Sequence, residues 1–210
     1  MKNLIIIGAG GFGREMFGAA RGAVGFGSEF EIRGFLDERR DALDGFKGYP
    51  PIVGSPLSYV PKTDDVFVTA LGSIASRRKC AKSIEDRGGR FASVVHRTAI
   101  LGPNVQIGEG SFIAPNVTLT ADIRIGRHAA VFHNTSIGHD SELEDFTHVY
   151  AQCSIGGAVR ICEGAVVYPG SVIVPRRLVG KDAVVGAGST VILNVKAGVS
   201  VFGSPAAVIR

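Results

Sequence analysis

The sequence predicts two domains of different architecture: an α/β domain in residues 1–90 and a solenoid of short parallel strands in residues 91–210. Two observations lead to this prediction. In the first part, strand-like apolar runs alternate with helix-like segments, which is typical of a parallel sheet. In the second part, an aliphatic residue recurs at every sixth position, and a fixed short period indicates a solenoid.

The first domain opens with a buried strand and a glycine turn in "NLIIIGAGGFGRE". A second strand, "FEIRGFLDERR", ends at Asp37, and a third lies in "DDVFVTALGS". The segment "IASRRKCAKSIEDRGG" is predicted to be a helix that Gly88 closes. Residues 41–62 are rich in Gly and Pro, so we expect mostly loop there. The order is βαβαβ, which implies parallel strands joined by right-handed crossovers.

The glycine turn carries a nucleotide-binding pattern. Gly8, Gly10 and Gly13 form GxGxxG between a strand and a helix, and Asp37 follows a further strand. This is the dinucleotide fingerprint in its expected context. Glycines let the backbone approach a phosphate, and the helix N-terminus favours its charge. Three or four strands make only a Rossmann-like half domain, and nicotinamide would need the missing half. A nucleotide sugar also has a diphosphate and a ribose, and a purely structural turn is the alternative.

The second domain follows a six-residue register. Large aliphatic residues fill the interior of a triangular coil of three strands and three turns, and stacked coils bury a continuous core. Seventeen steps at three per coil predict five to six coils. The steps are Val95, Leu101, Ile107, Ile113, Leu119, Ile125, Val131, Ile137, Leu143, Val149, Ile155, Ile161, Val167, Ile173, Val179, Val185 and Val191.

The register also predicts which way the histidines point. The inward positions are the aliphatic step and the residue four places after it, and none of the five histidines occupies either. His139, which Asp140 follows directly, is therefore expected to face outward. A neutral imidazole takes up a proton near neutral pH, and an adjacent carboxylate can orient the ring. A metal site that uses His133 or His148, and a plain surface histidine, remain alternatives.

Composition limits the class of protein. A formal charge of +4 without a dense Lys/Arg run argues against nucleic acid as a partner. Cys80, Cys153 and Cys162 lack metal-ligand spacing and fit a reducing compartment, so no metal is expected. The first apolar run is too short for a signal peptide, and none approaches a membrane span. We expect a cytoplasmic protein without membrane insertion.

Three stretches resemble one family. The start "IIIGAGGFGRE" with "GFLDE", the run "NTSIGHDSELEDFTHV" and the ending "VGAGSTVILNVKAGVSVFGSPAAVIR" are similar to the two-domain hexapeptide acyltransferases of bacterial surface-sugar pathways. These include nucleotide-sugar N-acetyltransferases and sialic acid O-acetyltransferases. The resemblance covers both domains. It implies a left-handed parallel β-helix, a homotrimer, acetyl-CoA as co-substrate and a nucleotide-linked amino sugar as acceptor.

The resemblance also assigns residues. It implies that His139 is the catalytic base and that Asp140 is the acid beside it. It implies acetyl-CoA contacts at His148, Gly157 and Ala187. It implies acceptor contacts at Gly10, Gly11, Phe12, Asp37, Glu38 and Gly72.

The chain departs from the family on the acceptor side. Some members with a UDP-4-amino-sugar acceptor carry His at the position of Phe12, Asn at that of Ser73 and Asp at that of Glu38. The nucleobase (UDP, GDP or CMP) and the sugar are therefore open. The expected activity is acetyl transfer to the amine of a nucleotide-linked sugar. The alternatives are an O-acetyltransferase acting on sialic acid or another hydroxyl, a hexapeptide metalloenzyme, and a non-catalytic sugar-nucleotide binding module.

Overall fold

A computed structural model of the chain describes residues 1–209, which divide into two compact units with the sequence boundary between Arg97 and Thr98. The first unit extends beyond the expected boundary at residue 90. The reason is that Arg90 and Phe91 form an edge strand of its sheet, and the Arg97 N–H donates to the Gly22 carbonyl.

The first unit is a parallel sheet with two helices. Its elements are β1 Lys2–Ile7, α1 Gly11–Ala20, β2 Phe30–Leu36, β3 Ile52–Gly54, β4 Asp65–Thr69, α2 Ile74–Glu85, β5 Arg90–Phe91 and β6 Val94–Val95. The sheet order is β3-β2-β1-β4-β5, and every neighbouring pair is parallel. Neither helix, nor any other helix in residues 1–209, is long and apolar enough to cross a membrane.

The predicted strands and the helix before Gly88 are confirmed. Gly88 has a φ of +78°, the left-handed conformation in which many helices end, and it lies three residues after the last residue of α2. Strand β3 was missed, since it lies inside the segment expected to be mostly loop. It has only three residues, and its pairing with β2 rather than its own sequence makes it a strand.

The turn after β1 requires its glycines. Gly8 has a φ of +107°, and a Cβ there would lie 2.6 Å from the Ala70 carbonyl oxygen. A Cβ on Gly13 would overlap the Gly8 carbonyl oxygen, because α1 begins directly against the end of the strand. The GxGxxG spacing therefore fixes how closely α1 approaches the sheet.

The second unit is a parallel β-helix of short strands. Residue pairs such as Thr118 and Ser136 lie side by side in neighbouring strands, so eighteen residues make one coil. Its strands are β7 Ile100–Leu101, β8 Gln106–Ile107, β9 Phe112–Ile113, β10 Thr118–Leu119, β11 Arg124–Ile125, β12 Ala130–Val131, β13 Ser136–Ile137, β14 Glu142–Leu143, β15 His148–Val149, β16 Ser154–Ile155, β17 Arg160–Ile161, β18 Val166–Val167, β19 Val172–Ile173, β20 Leu178–Val179, β21 Val184–Val185, β22 Thr190–Val191, β23 Ser200–Phe202 and β24 Ala207–Val208.

These strands form three sheets. One has six strands in the order β22-β19-β16-β13-β10-β7, and a second has five in the order β20-β17-β14-β11-β8. The third contains β24-β23-β21-β18-β15-β12-β9, in which only the pair β23 and β24 is antiparallel. From β7 to β21, each coil contributes one strand to each sheet.

The six-residue register is confirmed. The second residue of each strand from β9 to β22 is the predicted aliphatic step, and every one from Ile113 to Val191 is buried. Leu101 in the first coil is exposed. The stacked aliphatic side chains are therefore the hydrophobic core of this unit.

Truncation of one core residue should destabilise the coil. Ile155→Ala should lower the free energy of unfolding by about 2–5 kcal/mol, because Ile155 is buried and its loss leaves a cavity. Ser154→Ala, in the same strand but exposed, should change it by less than about 0.5 kcal/mol. Urea denaturation of both variants measures the difference. Equal midpoints would contradict the assigned register.

Candidate active site

His139 and Asp140 form an exposed pair in the turn between β13 and β14. The His139 Nδ1 atom lies 2.7 Å from the Asp140 Oδ2 atom, and the two side chains are 69% and 61% exposed. The outward orientation predicted from the register is confirmed. With Nδ1 held by a carboxylate, Nε2 is the ring atom that can accept a proton from a substrate.

Neighbouring coils fix the backbone of this turn on both sides. The Asp140 N–H donates to the Ala121 carbonyl over 3.1 Å, and the Ala158 N–H donates to the His139 carbonyl over 2.7 Å. Asp140 has a φ of +60°, a conformation that Asp tolerates better than most residues. The imidazole therefore projects from a turn anchored to the coils before and after it.

Gly157 lies against the imidazole, one coil after His139. A Cβ on Gly157 would lie 2.7 Å from His139 Nε2 and 2.9 Å from Cε1. The ring therefore occupies the space that a side chain at position 157 would need. The role of Gly157 beside the acyl donor stays a prediction, but its contact with the expected base is a feature of the structure.

His148 has a different environment from His139. It is 1% exposed, and its ring stacks on those of Phe132 and Tyr150 with centroid distances of 4.8 and 4.4 Å. An outward position in the register does not make a side chain exposed, because rings of neighbouring residues cover this one. The contact of His148 with acetyl-CoA stays a prediction. Ala187 is exposed in the turn after β21.

The other candidate groups of this unit lack the environment that a thiol nucleophile or a metal site would need. Cys153 is buried, and this burial raises the pKa of its thiol, so it is a poor nucleophile. Over residues 1–209, no three His, Cys, Asp or Glu side chains converge as metal ligands would. His128 is also buried, stacked on Phe146 at 4.8 Å, which its outward register position did not indicate.

A polar groove adjoins the Asp140 side of the pair. Its volume is about 490 Å³, and residues of three successive coils line it. Among them are Asn104, Asp122 and Asp140, which occupy the same turn position in consecutive coils; the Asn104 side chain donates to Asp122. The groove gives solvent access to the carboxylate that holds His139.

On the acceptor side, helix α1 begins at the predicted glycines. Gly10 is the residue before the helix and Gly11 is its first residue; no side chain caps this end and its first turn has no acidic residue. Gly11 is exposed and Phe12 is half-buried. Free N–H groups at a helix N-terminus suit an anion such as phosphate.

Asp37 joins this glycine turn to the end of β2. Its Oδ2 accepts the Ala9 N–H over 2.8 Å, and its Oδ1 accepts the Arg39 N–H over 2.9 Å. Burial raises the pKa of Asp37, but these N–H groups and the Arg39 guanidinium outweigh it and hold the pKa below its usual value. Asp37 is therefore ionised at neutral pH.

A cavity of about 190 Å³ lies at the carboxyl ends of the strands. Asp37 and Glu38 line it together with Gly8, Arg39 and Leu71, and Gly72 is exposed beside Leu71. The structure thus gathers the predicted acceptor residues at one edge of the sheet, where open α/β sheets bind ligands. Arg39 was missed, since nothing in "DERRD" distinguishes it from its neighbours.

Known proteins with similar sequences or structures cover both units of the chain. Residues 3–84 match the PglD N-terminal domain family. GDP-perosamine N-acetyltransferase of Escherichia coli O157:H7 is 29% identical over 212 residues, covering 96% of this chain and 93% of that protein. UDP-N-acetylbacillosamine N-acetyltransferase of Bacillus subtilis (strain 168) is 30% identical over 117 residues, covering 54% and 51%. The acetyltransferase domain of PglB from Neisseria gonorrhoeae FA1090, solved in complex with acetyl coenzyme A, has a TM-score of 0.88 at 25% identity and covers 99% of each chain.

A parallel β-helix with a six-residue repeat is the fold of hexapeptide-repeat acyltransferases, and the two curated relatives named above are acetyltransferases. Over both units, the chain is similar to two-domain sugar N-acetyltransferases.

A side chain at position 157 should displace the imidazole. Gly157→Ala should lower kcat on the order of 10²-fold, because a shift of about 1 Å in a reacting group has an effect of that size. The melting temperature should change little, since the φ of Gly157 is not one reserved for glycine. Steady-state kinetics measure this. Gly18→Ala, an exposed helical glycine with open space around it, is the matched control; equal rates for both variants would contradict the prediction.

Proposed function

We propose that the protein transfers the acetyl group of acetyl-CoA to the amine of a nucleotide-linked amino-deoxy sugar used in surface-glycan biosynthesis. The observation that carries the proposal is the His139–Asp140 pair, which is exposed on the β-helix. The first unit adds a glycine turn of the kind that binds nucleotides. The names of two relatives, a GDP-perosamine and a UDP-N-acetylbacillosamine N-acetyltransferase, support an amine acceptor on a sugar nucleotide.

In the proposed reaction, His139 is the general base. The amine nitrogen attacks the thioester carbonyl, and Nε2 of His139 takes the proton that the nitrogen loses. The new C–N bond replaces the C–S bond, and coenzyme A leaves as a thiolate, which takes from the imidazolium the proton that the amine lost. Asp140 orients the ring and stabilises it while it is charged.

The remaining acceleration comes from positioning and from hydrogen bonds to the developing oxyanion. A backbone N–H or His148 is the donor we assign to the oxyanion, and two oriented substrates lower the entropic part of the barrier. The transfer is direct, without an acyl-enzyme, which agrees with the burial of Cys153. We assign the binding of acetyl-CoA to three residues, His148, Gly157 and Ala187.

The acceptor is assigned to the first unit. We assign six residues to the acceptor site, with Gly10 and Gly11 nearest its phosphates; the other four are Phe12, Asp37, Glu38 and Gly72. The ionised Asp37 and the uncapped start of α1 support this assignment. UDP, GDP and CMP sugars are the candidates to be compared in the assay.

We also propose a homotrimer. Large apolar side chains are exposed on the last coils, and burial of such a surface against a second copy is favourable. Leu178, Ile192 and Leu193 are among them. Sedimentation equilibrium at micromolar concentration should give three times the chain mass. A monomer under those conditions would contradict the proposal.

The cellular compartment follows from the cysteines. Cys80, Cys153 and Cys162 are all free thiols, as is usual for proteins in a reducing compartment, and we propose the cytoplasm. Fractionation of cells that express the tagged chain tests this.

His139→Ala should lower kcat on the order of 10²–10⁴-fold while acetyl-CoA still binds, because it removes only the base. Asp140→Asn should lower kcat by less, since an amide oxygen can still accept from Nδ1 but lacks the charge that stabilises the imidazolium. His133→Ala is the control, because that histidine is exposed in a different turn. Rates are measured as thiol release with UDP-, GDP- and CMP-linked amino sugars. If His139→Ala retained the wild-type rate with an acceptor that the wild type uses, the proposed mechanism would be wrong.

A further inference from the structure

Arg39 lies beside the glycine turn but is not among the residues that the sequence predicted to bind the acceptor. We infer that Arg39 binds the diphosphate of the acceptor, and that Asp37 serves to position Arg39 rather than to contact the acceptor itself. The inference rests on the proposed function, since it assigns roles within the sugar-nucleotide site.

The Asp37 carboxylate already has protein partners on both oxygens. Oδ2 accepts the Ala9 N–H, and Oδ1 accepts both the backbone N–H of Arg39 and its Nε–H, the last over 3.4 Å. The Asp37 side chain is only 9% exposed. A carboxylate so enclosed has little surface left for a ribose, whereas it holds the turn after β1 and the Arg39 side chain in a fixed relation.

The guanidinium of Arg39 extends over the glycine turn. Its Nη2 atom lies 3.7 Å from the position that a Cβ on Gly10 would take, and the side chain is 65% exposed. Nε is engaged by Asp37, while the terminal nitrogens have no hydrogen-bond partner among residues 1–209. A guanidinium offers a planar pair of donors that matches two phosphate oxygens.

The neighbouring cations are placed differently. Arg14, in the first turn of α1, has its guanidinium carbon 3.7 Å from the centroid of the Phe46 ring, a cation–π contact that holds it there. Arg40 borders a second cavity, next to Ile52 and Ser58. Arg39 alone of these three borders the cavity that contains Gly8 and Leu71.

Calorimetric titration of the full chain tests the inference without acetyl transfer. The ligands are the nucleoside, its monophosphate and its diphosphate, in the uridine, guanosine and cytidine series. Arg39→Gln should weaken binding of the preferred diphosphate by about 10–100-fold, because it removes a charge-assisted hydrogen bond to phosphate. The affinity for the nucleoside should stay unchanged. Arg33→Gln, which changes an exposed cation of strand β2, should leave every affinity unchanged.

The positioning role of Asp37 has its own test. Asp37→Asn should weaken diphosphate binding by less than Arg39→Gln and should leave nucleoside binding unchanged. Because Asp37 acts through Arg39, the double variant should bind the diphosphate no more weakly than Arg39→Gln alone. A merely structural role for Asp37 would weaken nucleoside and diphosphate binding together.

The outcomes separate the inference from the proposed function. If the wild type binds a nucleoside diphosphate and Arg39→Gln binds it equally well, the inference is wrong and the proposed function stands. Loss of nucleoside affinity in Asp37→Asn, comparable to the loss of diphosphate affinity, would overturn the positioning role, because Asp37 would then contact the nucleoside or support the whole site. If the wild type binds none of these nucleotides, the inference and the proposed function both fail.

Discussion

The stacking of aliphatic side chains inside the β-helix determines where every other residue of the second unit can lie. Each buried step, such as Ile137, Ile155 and Ile173, packs on the residue eighteen positions away, and the parallel strands fix that spacing. The turns that join the strands are therefore stacked in the same register. A residue in one turn meets the residue eighteen places before and after it, so the core indirectly sets the surroundings of the site.

His139 shows how this constraint produces a functional environment. The residue one coil before it is Ala121 and the residue one coil after it is Gly157, and both have small side chains or none. The ring can lie against Gly157 only because no Cβ is present there. Gly138 is equally constrained, since a Cβ on it would lie 2.6 Å from the Gly157 nitrogen. The conformation of the imidazole thus depends on glycines that perform no chemistry themselves.

Much of the fold could be predicted from the sequence, because the period of a repeat determines which positions face the interior of the coil. The period of six located the buried residues from Ile113 to Val191 and the outward direction of His139. What the sequence could not predict depends on contacts between neighbouring coils or strands. His148 shares the outward orientation but is buried, since Phe132 and Tyr150 stack on it.

The same limit applies to the acceptor side of the chain. The glycine pattern predicted the turn at Gly10, but Arg39 could not be distinguished from Arg40 until the two bonds to Asp37 were visible. Strand β3 likewise exists only through its pairing with β2. Local patterns predict the elements, whereas the partners of an exposed polar side chain depend on the tertiary arrangement.

The three residues that depart from the family pattern on the acceptor side do not bear equally on the choice of acceptor. Ser73, at a position where some relatives carry Asn, precedes α2, and its hydroxyl oxygen accepts the Ser76 N–H over 3.3 Å. Ser and Asn are both favourable residues before a helix, so this exchange preserves a cap and has a structural explanation. Glu38 lines the cavity beside Asp37, and Phe12 lies in the first turn of α1. For neither of these two exchanges does helix capping supply a structural explanation. A difference in acceptor between this chain and its relatives should therefore arise from Phe12 and Glu38 rather than from Ser73.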